Sequence, residues 1–248
     1  MKQYSTLSYY YDELNKDCPY DKYVDFICKN ALNHGIKEGR LLDCGCGTGN
    51  ISVLLAKKGY DLTAFDVSDD ALCVAEQNAR NNSVKIRFLR ADMRSFKMSE
   101  EYDMAISTFD SVNYLTLKSE LRSFFDCAVS SLKKGGIMIF DVNTSYRYES
   151  VYADNCYVLE SDRAFLTWQN FYNEKSKRCK FYLTLFELKK SGVWERFDEE
   201  HTQKYHSSQT LEDIITEAGF ELCGVYGDYD MGPLTSDCEK AYYVLKKL

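Results

Sequence analysis

The stretch LLDCGCGTGN, residues 41–50, decides the reading of this chain. A short apolar run ends on an acid, Asp43. Gly45, Gly47 and Gly49 follow at alternate positions, and Asn50 leads into NISVLLAKK, a helical pattern that stops at Gly59. Glycines in that rhythm let the backbone turn sharply and approach a ligand where a Cβ would collide. The spacing differs from the dinucleotide fingerprint G-x-G-x-x-G, in which a helix N-terminus is laid on a pyrophosphate. An acid ahead of the loop disfavours a phosphate and favours a cation. A glycine-rich turn without a ligand is the plainer alternative, and the strand before it and helix after it weigh against that.

Outward from the loop the chain alternates between two periods. Residues 20–34 place Tyr23, Phe26, Ile27 and Leu32 at helical spacing, and Arg40 to Cys44 is a short buried strand. Asp61 to Asp66 is a second strand, and Ser68 is the N-cap candidate for the helix DDALCVAEQNAR. Val84 to Leu89 and Tyr102 to Thr108 are further strands; a helix over 117–133 then turns through Gly135-Gly136 into Ile137 to Val142. Such alternation means βαβ units, a parallel sheet and an α/β class. After residue 150 the rhythm changes to AFLTWQNFYNE, RCKFYLTLFELKK and VWERFDEEHTQKYH, an aromatic-rich antiparallel meander. The helix QTLEDIITEAG and the strands Phe220 to Tyr226 and Ala241 to Leu245 return to the first pattern. The expected organisation is one α/β domain from residues 1–149 and 206–248, with an antiparallel β insertion at 150–205.

Acids at strand ends sharpen the site. Asp66 closes the second strand, where a carboxylate can accept both hydroxyls of a ribose; Ser68 or Asp69 would serve as the helix cap instead. Asp92, in RADMRSF after the third strand, stands where a carboxylate could read an adenine amino group, with a solvated loop aspartate as the alternative. Strand ends of an open parallel sheet converge on one crevice, so Asp43, Asp66 and Asp92 should meet one ligand.

The segments LLDCGCGTGN, FDVSDDAL, RADMRSF, YDMAISTFDSVNYL and LKKGGIMIFDVN, in that order over about residues 35–145, resemble a class I S-adenosylmethionine-dependent methyltransferase. The closing FELCGVYGDYD and KAYYVLKKL resemble that family's reversed final hairpin. More narrowly, YYYDELNKDCPYDKY and the β-rich insertion are similar to bacterial small-molecule N-methyltransferases, those of amino sugars and the glycine N-methyltransferase group. The resemblance implies a Rossmann-like seven-stranded methyltransferase sheet with helices on both faces. It implies S-adenosylmethionine as donor, S-adenosylhomocysteine as product, and no metal. Asp43 and the loop Gly45, Cys46, Gly47, Gly49 and Asn50 would hold the methionine part, Asp66 and Val67 the ribose, and Ala91, Asp92 and Met93 the adenine. Thr108 and Phe109 would line the sulfonium. Tyr11 and Tyr20 would be lid contacts, with the packing of an N-terminal helix as the alternative.

Methyl transfer from a sulfonium is an in-line displacement in which alignment is the protein's main task. A neutral amine needs no strong base at that step, whereas a hydroxyl or an ammonium does. Tyr11, Asn113 and Tyr114 are the candidates near the crevice. In the insertion, Phe181, Leu183 and Leu185 alternate with Tyr182, Phe186 and Leu188, so both faces are apolar and each calls for a cover, a substrate or a second subunit in a homodimer. By the same alternation Trp194, Arg196, Asp198 and Glu200 share one face of their strand, and Phe197, Glu199 and His201 the other. Arg196, Glu200 or His201 would select a charged or hydrogen-bonding acceptor if turned to the site.

Composition bounds the partners. Among 248 residues, 31 Lys+Arg face 38 Asp+Glu for a net charge of −7, which argues against nucleic acid and anionic lipid as partners. Residues 171–206 carry 8 basic and 6 acidic side chains, so no strongly basic face emerges there. TFDSVNYL also stands where base amino-group methyltransferases carry Asn-Pro-Pro-aromatic. No apolar run approaches the ~18 residues of a membrane helix. The opening MKQYSTLSYYYDELN lacks the apolar core of a secretion signal, which leads to the expectation of a cytoplasmic protein. Ten cysteines without a Cys-x-x-Cys, and three histidines without ligand spacing, read as reduced thiols used as small apolar residues rather than a zinc site. A small-molecule methyltransferase fits best. An RNA or protein methyltransferase, a cofactor-binding regulator without chemistry, and an arsenite methyltransferase using Cys156, Cys179 and Cys223 are the competing readings.

Overall fold

The computed structural model describes residues 6–248; residues 1–5, assigned above to the opening of the α/β domain, lie outside the described residues. Five strands, β1 (Arg40–Cys44), β2 (Asp61–Asp66), β3 (Ile86–Arg90), β4 (Tyr102–Ser107) and β5 (Leu132–Asn143), run parallel. Two more, β10 (Phe220–Tyr226) and β11 (Lys240–Lys247), complete a seven-stranded sheet in the order β3-β2-β1-β4-β5-β11-β10. Only β11 is reversed, antiparallel to both neighbours, as expected of the final hairpin.

Period-two alternation explains why these strands are apolar throughout. Leu41, Met104, Ile106, Ile137 and Ile139 pack on one side with α2 (Tyr20–Asn33) and α3 (Asn50–Lys57). Leu42, Ala105, Met138 and Phe140 pack on the other with α5 (Lys118–Ser131) and α6 (Ser208–Glu217). A sheet covered on both faces needs such near-continuous runs. Helix α4 (Asp69–Asn81) is capped as expected, the Ala71 amide donating to Ser68 Oγ at 3.2 Å. Leu32, by contrast, is exposed: nine residues beyond Tyr23, it lies about 180° around the helix from it. Strand β5 also begins earlier than Ile137, because Leu132 pairs with Tyr102 before Gly135, at φ +77°, shifts the register.

The insertion is a second, four-stranded antiparallel sheet in sequence order: β6 (Cys156–Glu160), β7 (Ala164–Asn173), β8 (Arg178–Leu188) and β9 (Trp194–Lys204). The sequence reading lacked β6 and the π-helical turn Arg147–Tyr152 ahead of it. One face buries Leu166, Phe181, Leu183 and Leu185 against Tyr148, Tyr152 and helix α1 (Ser8–Leu14), through Leu7, Tyr10 and Leu14. Helix α1 of the same chain is therefore the inner cover. On the outer face Val158, Phe171, Tyr182 and Trp194 are exposed, with Arg196 and Asp198 paired to each other. Of the ten free cysteines, Cys44 and Cys179 are the buried apolar residues expected, while Cys73, Cys156 and Cys223 are exposed.

Candidate active site

Strand order reverses beside β1, whose neighbours are β2 and β4, and this switch point leaves a crevice at the carboxyl ends of the strands. A cavity of about 460 Å³ occupies it, a size usual for small-molecule sites. The loop Gly45, Cys46, Gly47 and Asn50 forms its floor, with Asp66, Val67, Ala91, Asp92 and Met93 along one wall and Thr108, Phe109 and Tyr114 along the other. Tyr11 and Tyr20 close it from the N-terminal side. Gly47 has φ +53° and open space where a Cβ would stand, a backbone left bare for a ligand.

Three expected residues lie off the wall, each for a visible reason. Gly49 packs against α4, where a Cβ would come within 2.9 Å of the Ala75 Cβ. Asn113 is fully buried, its Nδ2 donating to the Lys204 carbonyl at 2.8 Å and its Oδ1 accepting from the Asn143 amide at 2.9 Å. Its amide thus pins β9 to β5 and to the 3-10 turn Ser111–Tyr114. Asp43 sits behind the loop; Ser52 Oγ donates to its Oδ2 at 2.5 Å, and Oδ1 is buried with no hydrogen-bond partner among the described residues.

The acids differ in electrostatic setting. Burial pushes the Asp43 carboxyl up to about 7 against the Ser52 hydrogen bond, and the charge of Asp66 adds to the rise. Burial also raises Asp66, opposed by the amides of Gly47 and Ser68, each donating to it at 2.9 Å. Asp92 is held below the usual carboxylate range by Arg94, whose guanidinium grips it and reaches Glu120 at 3.2 Å. A carboxylate so engaged keeps its ionised form and its position, with lone pairs to spare for an amino group.

Several wall residues carried no local signal. Ser8, Thr48, Arg94, Glu120 and Thr202 all line the cavity. Helix α1 is latched over the loop by Asp12, which accepts from Thr48 Oγ1 at 2.6 Å, Asn50 Nδ2 at 2.7 Å and Asn78 Nδ2 at 2.9 Å. The segment after β4 is held under strain, with Phe109 and Asp110 both left-handed at φ +53° and +54°. A buried ammonium holds it: Lys240 Nζ lies 2.6 Å from both Asp110 and Asp141. Burial pulls Lys240 down, but the two carboxylates outweigh it and keep the ammonium above its ordinary value. His206 is pushed down to about 4 by burial, and its Nε2 meets the Leu115 carbonyl at 2.9 Å. His201 turns inward to the site, as the alternation allowed, while Arg196 faces outward. Among the described residues no three His, Cys, Asp or Glu side chains converge as a metal site would require, and no helix is long and apolar enough to cross a membrane.

Comparison with known proteins points to one family. The family described as "Methyltransferase domain" matches residues 41–136, the span from the glycine loop into β5. A candidate methyltransferase of Geobacillus sp. (strain WCH70) is 30% identical over 246 residues, covering 98% of this chain and 99% of that one. A glycine/sarcosine N-methyltransferase of Aphanothece halophytica is 25% identical over 240 residues, 90% of this chain and 81% of that one. The crystal structure of an S-adenosylmethionine-dependent methyltransferase from Clostridium acetobutylicum superposes with a TM-score of 0.86 at 25% identity, covering 96% of each chain. With its seven-stranded sheet, its glycine loop at the switch point and these relatives along its whole length, the chain belongs to the class I S-adenosylmethionine-dependent methyltransferases.

Proposed function

We propose that this enzyme moves the methyl group to a small-molecule acceptor, foremost an amine nitrogen, by in-line displacement and without a metal. The observation that carries the reading is the roof of the cavity. Ser8 and Tyr11 of α1 and Thr202 of β9 line the cavity together with Thr108 and Tyr114, so the N-terminal helix and the insertion overhang the crevice. A polymer substrate would need that roof displaced, and the net charge of −7 gives RNA no attraction to pay for it. The relative that methylates glycine and sarcosine supports nitrogen as the atom methylated.

The residues fit the donor. Asp66 suits a ribose diol, and the orphaned Oδ1 of Asp43, just behind the loop, suits the cationic amino end of the methionine part through water. Ala91, Asp92 and Met93 would border the adenine, and Thr108 and Phe109 the sulfur. When bound, S-adenosylmethionine supplies a methyl group activated by the positive charge on its sulfur. Helix α1, held by Asp12, excludes water, and the cavity walls hold the acceptor in line, an effect worth up to ~7–11 kcal/mol in favourable cases.

The test is a calorimetric titration with S-adenosylhomocysteine, followed by a labelled-methyl screen of amines, hydroxylated metabolites and total RNA. Micromolar binding with transfer to a small amine is expected. Transfer to RNA alone would overturn the acceptor class, and binding without any transfer would favour a regulator.

Asp43 gives this binding a pH signature. In the free protein its carboxyl keeps a proton up to about pH 7, whereas the unfolded chain loses it near ~3.9. Its contribution to stability therefore falls as pH rises through that window. A cationic ligand selects the ionised form, so affinity moves the opposite way and tightens as pH rises. Between pH 6 and pH 8 the ionised fraction grows from ~0.1 to ~0.9, so affinity for S-adenosylhomocysteine should improve about tenfold. Asp43→Asn should flatten that slope; a slope that survives the substitution would remove Asp43 from the ligand's charge.

A further inference from the structure

A second set of polar groups meets the cavity on the wall that carries Thr108 and Phe109. Tyr114, on its wall, places its hydroxyl 3.1 Å from His201 Nδ1, and His201 Nε2 lies 3.1 Å from Glu199 Oε2. His201 and Glu199 are buried in β9 of the insertion, whereas Tyr114 belongs to the turn after β4. The juxtaposition is fixed from both sides, by Asn113 on the Lys204 carbonyl and by His206 on the Leu115 carbonyl.

On the reading that the chain is a methyltransferase, we infer that Tyr114, His201 and Glu199 form a proton relay that takes the acceptor's proton. A carboxylate only accepts, so His201 Nε2 carries the imidazole proton and Nδ1 is left with a lone pair. The Tyr114 hydroxyl then donates to Nδ1, its oxygen keeps lone pairs that can accept, and Tyr114 itself lines the cavity. An acceptor N–H or O–H donates to that oxygen. As the acceptor takes the methyl group, its proton passes to the Tyr114 oxygen and the phenolic proton passes to His201 Nδ1. The imidazolium is held by the Glu199 charge, the same division of labour as in a nucleophile–histidine–carboxylate triad. After product leaves, the proton returns to solvent by the same route. Tyr114 is the catalytic residue of this relay; His201 and Glu199 position it and store the proton. The relay serves acceptors that carry a proton on the methylated atom: primary and secondary amines, hydroxyls, and ammonium ions, which must give up a proton before the transfer because the nitrogen has no lone pair until then, but not tertiary amines.

The tautomer is the decisive observable, and it needs no acceptor. In ¹⁵N-histidine-labelled protein with S-adenosylhomocysteine bound, His201 should be protonated on Nε2 and bare on Nδ1, with His34 and His206 as internal references. Tyr114→Phe should move the His201 Nδ1 resonance, leave Nε2 protonated, and keep S-adenosylhomocysteine affinity within twofold. With the acceptor found by the transfer screen, the same variant should lose ~10²-fold or more in turnover. A His201 proton on Nδ1, or a Tyr114→Phe spectrum identical to wild type, would overturn the relay. Loss of S-adenosylhomocysteine binding by the wild-type protein would instead sink the methyltransferase reading, whatever the tautomer.

Discussion

Asp66→Ala is expected to weaken S-adenosylhomocysteine binding by ~30–1,000-fold, which corresponds to ~2–4 kcal/mol. Hydrogen bonds to a charged group contribute ~1.5–3 kcal/mol each, and a ribose diol can make two to this carboxylate. The substitution also releases the amides of Gly47 and Ser68, which donate to Asp66 at 2.9 Å and fix the loop on one side and the entry to α4 on the other. Affinity is thus lost through direct contacts and through a looser loop. Asp66→Asn separates the two: it keeps an acceptor oxygen for one amide, and should lose less than half as much in free energy. Calorimetry on both variants, with unfolding curves to show that they are folded, checks the expectation. Equal affinity of Asp66→Ala and wild type would place the ribose elsewhere and undo the orientation assigned to the donor.

The part of the site that the sequence displays is the part built from residues near one another in the chain. Asp43, the alternate glycines and Asp66 can be read because strand ends in a parallel sheet converge by construction, so local pattern implies spatial meeting. The relation of Asn113 to Tyr114 shows where that stops. As neighbours they look equivalent, but in a 3-10 turn successive residues point about 120° apart, which sends Asn113 into the core and Tyr114 into the cavity. Tyr114 and His201 are 87 residues apart, and His201 reaches the site only because β9 is sutured to that turn. Alternation placed His201 and Glu199 on one face and Trp194 and Arg196 on the other, but it carries no sign of which face turns inward. Thr202 and Arg94 are as opaque, since a lone polar residue in a strand or loop has no pattern. The outer face of the insertion exposes Val158, Phe171, Tyr182 and Trp194 beside the charged pairs Arg196–Asp198 and Lys180–Glu200, so it is only partly apolar, and the inner cover, helix α1, follows from the fold alone.

Lys240 had no local signal at all, and its removal should damage stability as much as truncating a core aromatic side chain. Its ammonium is largely buried between Asp110, 130 residues away, and Asp141, 99 residues away, and these two carboxylates are in turn hydrogen-bonded by Gln203 and Tyr23. Lys240→Met keeps the stem's apolar packing while leaving two negative groups facing each other out of water. Breaking a buried pair in this way typically costs ~3–5 kcal/mol, a large share of the ~5–15 kcal/mol that holds a domain folded. The loss should not stop at stability. Phe109 and Asp110 both adopt a left-handed backbone, costly for a bulky residue such as Phe109 and better tolerated by aspartate, and the Lys240–Asp110 contact is one of those that offset that cost. Without it the segment should relax and withdraw Phe109 from the cavity wall and from its edge contact with Tyr20. Urea unfolding should therefore give an unfolding free energy lower by those ~3–5 kcal/mol, and the folded fraction should bind S-adenosylhomocysteine several-fold more weakly. The double variant Lys240→Met/Asp110→Asn should recover part of the stability, because one unpaired charge is gone, but not the affinity, because the strained turn still lacks its anchor. A Lys240→Met protein within ~1 kcal/mol of wild type would mean that water or backbone groups take over the two carboxylates, and that the strain at Phe109 is held by the turn itself.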